Sequence, residues 1–233
     1  MTAQRLARTE RLLPPSAPGM RIGLFGGTFD PPHLAHLSAS LLALKRLKLN
    51  RVWWLVTPGN PLKNTSGLAP LAKLIAAARA LTNHPRIDVT GLEAVINTRY
   101  TYDTISWLLA RCPRVRFVWI MGADNLRSFH RWQKWRGIAK LVPIVVVDRL
   151  GPSLYAAASP AGQAFSFARI PEHAASTLPN RQAPAWTSCT ASNHRYPRPP
   201  CGPCAGVQEL PATRPARLAS ARVERSEQNS YLD

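Results

Sequence analysis

The sequence predicts an α/β fold with a doubly wound parallel sheet, in a single domain followed by a disordered or irregular C-terminal tail. Two observations support this class. Short, almost wholly apolar runs alternate with longer runs of helical periodicity, and strands that are apolar on both sides must be covered on both faces. The 233 residues are also enough to bury a substantial core. We therefore expect a Rossmann-like sheet, which binds ligands beyond the carboxyl ends of its strands.

The predicted strands are apolar runs that end at glycine, proline or a charged residue, and the predicted helices have apolar residues three and four apart. In helix 34–49 the basic residues lie towards the C-terminal end, where they suit the helix dipole. Threonines at the start of helix 100–112 are expected to cap it. The order along the chain is strand 21–27, helix 34–49, strand 51–59, helix 69–84, strand 86–93, helix 100–112, strand 114–124 and strand 142–149.

Composition divides the chain into three parts. Residues 1–20 are predicted to be a flexible leader, and Met20 at its end is an alternative translation start. Residues 21–186 carry the alternating pattern and form the predicted catalytic domain. Residues 187–233 lack a sustained apolar period and are rich in Pro, Ser, Arg and Ala, which predicts a segment of low order.

The formal net charge of +18 indicates an anionic partner, such as nucleic acid, a membrane surface or a phosphorylated small molecule. Lys and Arg are dispersed in runs of no more than two, so no nucleic-acid stripe is predicted, and a solvated basic surface stays an alternative. No apolar run reaches the length of a membrane span, and the first 20 residues do not resemble a secretory signal. The cytoplasm is therefore the expected compartment, and the oligomeric state is not predicted.

The segment GLFGGTFDPPHLAHL, residues 23–37, carries the strongest chemical signal. Gly26 and Gly27 end a buried strand and allow close approach of a ligand, and Asp30 begins a proline turn. His33 and His36 follow at the start of a helix, three residues apart and therefore on one face. Imidazoles, free backbone amides and the positive end of a helix dipole together favour phosphate binding.

Two other interpretations of the histidine pair stay open. His33 and His36 can be ordinary polar residues at a helix start, although the glycine turn before them argues against it. A metal site is a weaker alternative, because Asp30 is the sole acidic or cysteine side chain nearby at ligand spacing.

The pattern Gly-Gly-Thr-Phe-Asp-Pro-x-His-x-x-His after a first strand resembles the HxGH-type nucleotidyltransferases, with Ala35 where that motif usually has glycine. Three further segments narrow the resemblance: TPGNPLK after the second strand, TRYTYDTI at the third helix and MGADNLRSFHRWQKW after the fourth strand. Over residues 22–186 the chain is similar to the bacterial nicotinate-nucleotide adenylyltransferases.

The resemblance implies that nicotinate mononucleotide attacks ATP, giving nicotinate adenine dinucleotide and pyrophosphate without a covalent intermediate. It implies Mg²⁺ as the cofactor and names no metal-ligating residue. Two alternatives stay open. One is a sibling transferase that acts on pantetheine phosphate or uses CTP, and the other is a non-catalytic nucleotide-binding remnant.

The resemblance also implies roles for residues at the ATP end of the site. His33 and His36 are expected to contact the ATP phosphates, and Thr28 with the amides of Gly26 and Gly27 to hold the reacting phosphates. The other residues at this end are expected to shape the turn (Phe29 and Asp30), to offset phosphate charge (Lys63) and to accept from a ribose hydroxyl (Asp124).

At the nicotinate end, Trp132 is expected to stack on the ring, and amides near Tyr100 and Thr101 to take its carboxylate. Simpler roles stay possible for some of these residues. Trp132 can be a core residue, Lys63 a solvated one and Asp124 a helix cap.

The family carries a second signature near its C-terminus, Ser-Ser-Thr-x-x-Arg, which binds the ATP phosphates, and this chain lacks it. Reading the third base of each codon with the first two of the next, from Thr187 onward, lets TSCTASNHRYPRPPCGP encode FLHGLKSPLSSTALRA. We therefore hypothesise a reading-frame slip near residues 186–187. Cys201-Gly-Pro-Cys204 is then out-of-frame sequence, and a redox role is the minor alternative.

Overall fold

A six-stranded, wholly parallel sheet forms the centre of the computed structural model, which describes residues 13–57, 69–148 and 157–190. All of these residues belong to the unit that spans residues 1–194. The strands are β1 (Arg21–Gly27), β2 (Arg51–Val56), β3 (Ile87–Thr90), β4 (Arg116–Gly122), β5 (Ile144–Asp148) and β6 (Trp186–Thr190).

Helices connect the strands and cover the sheet. Within the described residues, 3₁₀ segments at Phe129–Arg131, Ser166–Ala168 and Glu172–Asn180 supplement them. None of the helices in the described ranges is long and apolar enough to cross a membrane. The α-helices are α1 (Leu34–Arg46), α2 (Leu71–Thr82), α3 (Leu92–Val95), α4 (Thr101–Arg111), α5 (Ala123–Ser128), α6 (Trp135–Leu141) and α7 (Pro160–Ala164).

The sheet is buried on both faces, as its apolar strands predict. In β2, Trp54 packs into a cluster with α1 and α2, whereas its neighbours Trp53 and Leu55 pack on the opposite face with α4 and α6. The same alternation recurs in β4 and β5. Because successive side chains of a strand point to opposite faces, these runs require helices on both sides, and the doubly wound prediction is confirmed.

The strand order is β3-β2-β1-β4-β5-β6, so the direction of winding reverses between β1 and β4. The loops that follow these two neighbouring strands lead to opposite faces and leave a crevice at their carboxyl ends. The motif at residues 23–37 follows β1 and the segment at residues 121–135 follows β4. The topology therefore brings both segments to one place.

The structure differs from the sequence expectations at several points. The predicted strand 86–93 ends at Thr90, and Glu93 belongs to helix α3. The predicted domain boundary at residue 186 falls inside β6, where residues 187–190 pair with β5 and Thr187 and Cys189 are fully buried. Sequence patterning missed this strand because Thr-Ser-Cys-Thr is not an apolar run, whereas the open edge of β5 supplies its hydrogen bonds. The predicted threonine cap of α4 is wrong, because Tyr100 is the N-cap residue and no side chain caps the helix.

Candidate active site

A cavity of about 640 Å³ opens at the carboxyl ends of β1 and β4. Its walls come from the β1–α1 turn, the start of α1, the segment before α4 and the segment that follows β4. Lys63 lies outside the described residues. The other residues predicted for the site all line this cavity: Gly26, Gly27, Thr28, Phe29, Asp30, His33, His36, Tyr100, Thr101, Asp124 and Trp132.

The two histidines lie face to face at the start of α1. Their ring centroids are 3.8 Å apart and the ring planes are inclined by 28°. The backbone N–H of His33 donates to Nδ1 of His36 over 3.3 Å, and the N–H of His36 donates to the carbonyl of His33 over 2.9 Å. Because Nδ1 of His36 accepts a hydrogen bond, Nε2 carries the proton in the neutral ring and can donate to a phosphate oxygen.

Aromatic packing fixes the position of His36. Its ring contacts Phe29 at 4.9 Å and Phe25 at 5.9 Å, measured between centroids, and Phe29 stacks on Trp54 at 4.7 Å. Ser40 ties this cluster to α1, since its hydroxyl donates to the His36 carbonyl and accepts from the indole N–H of Trp54. His36 is half-buried and His33 is exposed.

The turn after β1 contains a left-handed residue that is not glycine. Phe29 has φ of +50°, a conformation that costs a bulky residue roughly 1 kcal/mol or more. Its ring is 99% buried between Phe25, His36 and Trp54, and this burial offsets the cost. The turn therefore holds its shape through side-chain packing, and it places Asp30 and His33 at the cavity.

Gly26 is required by close contact. A Cβ atom at this position would lie 2.7 Å from Cη2 of Trp119, a buried residue of β4 that also lines the cavity. A Cβ atom at Gly27 would lie 3.4 Å from the Phe29 ring, which is an ordinary contact. Gly26 thus allows the indole of Trp119 to reach the cavity wall.

Asp124 lies in the first turn of α5, directly after β4. The N-cap residue of α5 is Gly122, so Asp124 is not the cap of this helix. A Cβ atom at Gly122 would collide with Oδ1 of Asp124, because this carboxylate turns back across the glycine. The exposed Asp124 therefore lines the cavity beside the end of β4.

Aromatic residues form the opposite end of the cavity. Trp132 is partly buried and meets Trp119 edge to face at 6.3 Å and Phe129 at 5.4 Å. Tyr100 and Thr101 line the same cavity at the start of α4, where first-turn amides have no acceptor within the helix. Trp132 thus both packs against the core and presents a surface to the cavity.

Several cavity residues were missed by sequence reasoning, namely Thr57, Glu93, Arg99, Trp119, Asn125 and Arg131. Glu93 follows β3, so the strand-end logic used elsewhere would have found it. Trp119 gives no such signal, because an apolar residue inside a strand looks like core. Arg99 and Arg131 add positive charge to the cavity, which suits an anionic ligand.

Glu93 is the buried acid of the site, with 5% of its surface exposed. Burial raises the pKa of Glu93 above its usual value, and hydrogen bonds with Thr104 and Thr57 act in the opposite direction. The Thr104 hydroxyl donates to Oε1 of Glu93 over 3.0 Å. The carboxyl group therefore has hydroxyl partners on both α4 and the end of β2.

The chain is similar in sequence to known proteins. A family model described as cytidylyltransferase-like matches residues 24–184. A protein of Bradyrhizobium sp. (strain ORS 278), named probable nicotinate-nucleotide adenylyltransferase, is 60% identical over 171 residues, which are 73% of this chain and 89% of the relative. A protein of the same name from Methylorubrum extorquens is 57% identical over 167 residues, covering 72% of this chain and 90% of the relative.

A solved structure supports the fold alone. The Plasmodium falciparum nicotinic acid mononucleotide adenylyltransferase complexed with APC superposes with a TM-score of 0.53 at 14% identity, covering 73% of this chain and 74% of that one. The family model and the bacterial relatives agree on one assignment. The chain belongs to the cytidylyltransferase-like family and, within it, to the nicotinate-nucleotide adenylyltransferases.

Proposed function

We propose that the protein transfers the adenylyl group of ATP to nicotinate mononucleotide, forming nicotinate adenine dinucleotide and pyrophosphate in NAD biosynthesis. The observation that carries this proposal is the stacked pair of His33 and His36 at the mouth of a cavity beside the β1 turn. The names of the relatives that are 57–60% identical support the same reaction.

In the proposed reaction, a phosphate oxygen of nicotinate mononucleotide attacks the α-phosphorus of ATP. The bond from that phosphorus to the oxygen bridging to the β-phosphorus breaks, and pyrophosphate leaves with the electron pair. No proton transfer is needed at the attacking phosphate, so the protein acts by positioning and by stabilising charge. His33 and His36 donate to the phosphate oxygens, and Thr28 with the amides of Gly26 and Gly27 holds the reacting groups.

The remaining residues are proposed to bind the ATP ribose at one end of the cavity and the nicotinate ring at the other. Asp124 accepts from a ribose hydroxyl of ATP. Trp132 stacks on the nicotinate ring, and amides near Tyr100 and Thr101 bind the ring carboxylate. Packing of Trp132 against Trp119 and Phe129 supports this role, because it holds the indole at one orientation. Lys63 is proposed to offset phosphate charge.

Mg²⁺ is proposed to enter with ATP. Within the described ranges no group of three or more His, Cys, Asp or Glu side chains is placed to bind a metal ion. Mg²⁺ keeps several waters and is usually bound by substrate phosphates together with one or two carboxylates. Asp30 and Asp124 are cavity carboxylates that would hold it directly or through water. The bound ion would neutralise charge on the departing pyrophosphate.

The proposed compartment is the cytoplasm, where ATP is available.

A second candidate function is that of a non-catalytic nucleotide-binding remnant. The observation that favours it is the missing Ser-Ser-Thr-x-x-Arg signature, whose phosphate donors the literal sequence does not supply. Substrate binding without turnover would be the expected behaviour of such a protein. The two candidate functions therefore involve the same ligands, but only the first includes catalysis.

A coupled assay of pyrophosphate release from ATP tests the proposal. Nicotinate mononucleotide should be the best acceptor, ahead of nicotinamide mononucleotide and phosphopantetheine. In this chain, or in a version with the signature restored if this chain is inactive, His33→Ala should lower kcat about 10²–10³-fold, as loss of a preorganised donor does. His36→Ala should lower kcat similarly and also reduce stability. A preference for phosphopantetheine, or full activity of both variants, would contradict the assignment.

A further inference from the structure

Glu93 is a buried acid on the cavity wall that the proposed reaction does not use. It belongs to α3, a single turn between β3 and the segment that leads to α4. A carboxyl group in such a position requires hydrogen-bond partners, because burial of an unpaired polar group is costly. The identity of these partners indicates what the residue does.

The partners of Glu93 lie on separate elements. The Thr104 hydroxyl donates to Oε1 over 3.0 Å, and Thr57, directly after β2, forms a second side-chain hydrogen bond. Thr98 extends the network through its hydroxyl, 3.0 Å from that of Thr104. The Thr98 amide also donates to the Glu93 carbonyl over 3.0 Å. Glu93 thus joins the end of β2, the segment before α4 and the first turn of α4.

This network contacts the chain on both sides of Tyr100, at Thr98 before α4 and at Thr104 within it. The Tyr100 carbonyl accepts from the amides of Asp103 and Thr104 and lies 3.3 Å from the Thr104 hydroxyl. No side chain caps α4, so the position of its first amides depends on what its first turn is fastened to. Thr104 fastens that turn to Glu93.

We propose that Glu93 is a positioning residue that, through Thr104 and Thr57, holds the start of α4 where its amides meet the carboxylate of the mononucleotide. This inference rests on the proposed function, and it assigns the preference for the acid over the amide substrate in part to Glu93. A carboxyl group suits the role because both of its oxygens can accept, one for each hydroxyl. Glutamine at position 93 would keep the volume of the side chain but only one of its two acceptor oxygens.

Binding measurements on the full chain test this inference without relying on turnover. Titration calorimetry would give the Kd of nicotinate mononucleotide, nicotinamide mononucleotide and ATP for wild type, Glu93→Ala, Glu93→Gln and Thr104→Val. Glu93→Ala should weaken nicotinate mononucleotide about tenfold, as expected when a charge-assisted hydrogen bond is misplaced. ATP should change less than about twofold, because its proposed contacts lie at β1 and α5. Glu93→Gln should show a smaller loss than Glu93→Ala.

The preference between the two mononucleotides is the decisive readout. The ratio of the Kd of nicotinamide mononucleotide to that of nicotinate mononucleotide should fall in Glu93→Ala and Thr104→Val. A matched control is Asp103→Asn, an exposed acid of the same helical turn whose contact is Lys134 at 4.0 Å. This control should leave the ratio unchanged.

Two results would overturn the inference. A folded Glu93→Ala variant with wild-type affinity for nicotinate mononucleotide would show that no positioning role exists. Equal losses for ATP and both mononucleotides would show a general structural role. If Glu93→Ala does not fold by circular dichroism, Thr104→Val and Glu93→Gln decide by the same ratio. Failure of the wild-type chain to bind any of the three ligands would instead refute the proposed function on which the inference rests.

Discussion

At the scale of single residues, the site depends on side chains that hold other side chains. His36 is placed by Phe25, Phe29 and the hydroxyl of Ser40, and Trp132 is placed by Trp119. The sequence motif contains Phe25 and Phe29, but it contains no information about Trp119. This residue lies on β4, far from the motif along the chain, and the pairing of β4 with β1 brings it to the site.

Substitution of Gly26 tests the close approach of β1 to Trp119. Gly26→Ala should lower the free energy of unfolding by about 1–3 kcal/mol, because the new Cβ atom would overlap the indole at 2.7 Å. Gly27→Ala is the matched control and should cost less than about 1 kcal/mol, since its Cβ atom would make an ordinary contact at 3.4 Å. Urea unfolding followed by circular dichroism measures both, and equal losses would contradict the packing argument.

At the scale of elements, helix and strand ends position the chemistry. The apolar strands predicted the sheet, and the ligand-bearing residues follow their carboxyl ends as expected for parallel strands. The ends of elements were less predictable than their existence. Tyr100 rather than a threonine is the N-cap residue of α4, whereas Thr98 and Thr104 hydrogen-bond to each other and Thr104 also donates to Glu93. Edge strand β3 is tied to β2 by the bidentate pair of Arg51 and Asp88.

That pair should contribute measurably to stability. Arg51 donates to both carboxylate oxygens of Asp88 at 2.6 and 2.7 Å, and both side chains are mostly buried. Asp88→Asn should therefore lower the free energy of unfolding by about 1 kcal/mol, with a smaller loss at high salt. Asp103→Asn is the control, since its pair with Lys134 is exposed and 4.0 Å apart. Equal effects of the two substitutions in urea unfolding would refute this expectation.

At the scale of the whole molecule, the topology assembles the cavity, and the frame-slip hypothesis concerns the C-terminal part of the sequence. β6 completes the sheet with Trp186 and the four residues after it, and Thr187 and Cys189 lie fully buried against β5. The alternative frame begins Phe-Leu-His over this region. Threonine is itself typical of strands, and the literal residues pair along β5, so β6 does not discriminate between the two frames.

The hypothesis predicts a large difference in activity. This 233-residue chain should show low or no adenylyl transfer, and a version with the Ser-Ser-Thr-x-x-Arg frame restored should exceed it by more than tenfold. The physical reason is the loss of phosphate donors in the literal sequence. Sequencing of the gene across codons 180–210 provides the independent check. Turnover of the two versions within tenfold, or a gene that cannot encode the signature, would reject the hypothesis.

The sequence by itself determined the doubly wound sheet, because apolar periodicity is a local property, and it determined the histidine motif and the family. It also named the residues that line the cavity from the β1 turn, the start of α4 and the segment after β4. Tertiary structure alone decided that Trp119 reaches the cavity past Gly26 and that Glu93 links β2 to α4. These contacts join residues on different strands and helices. They depend on strand order and register, which no local pattern encodes.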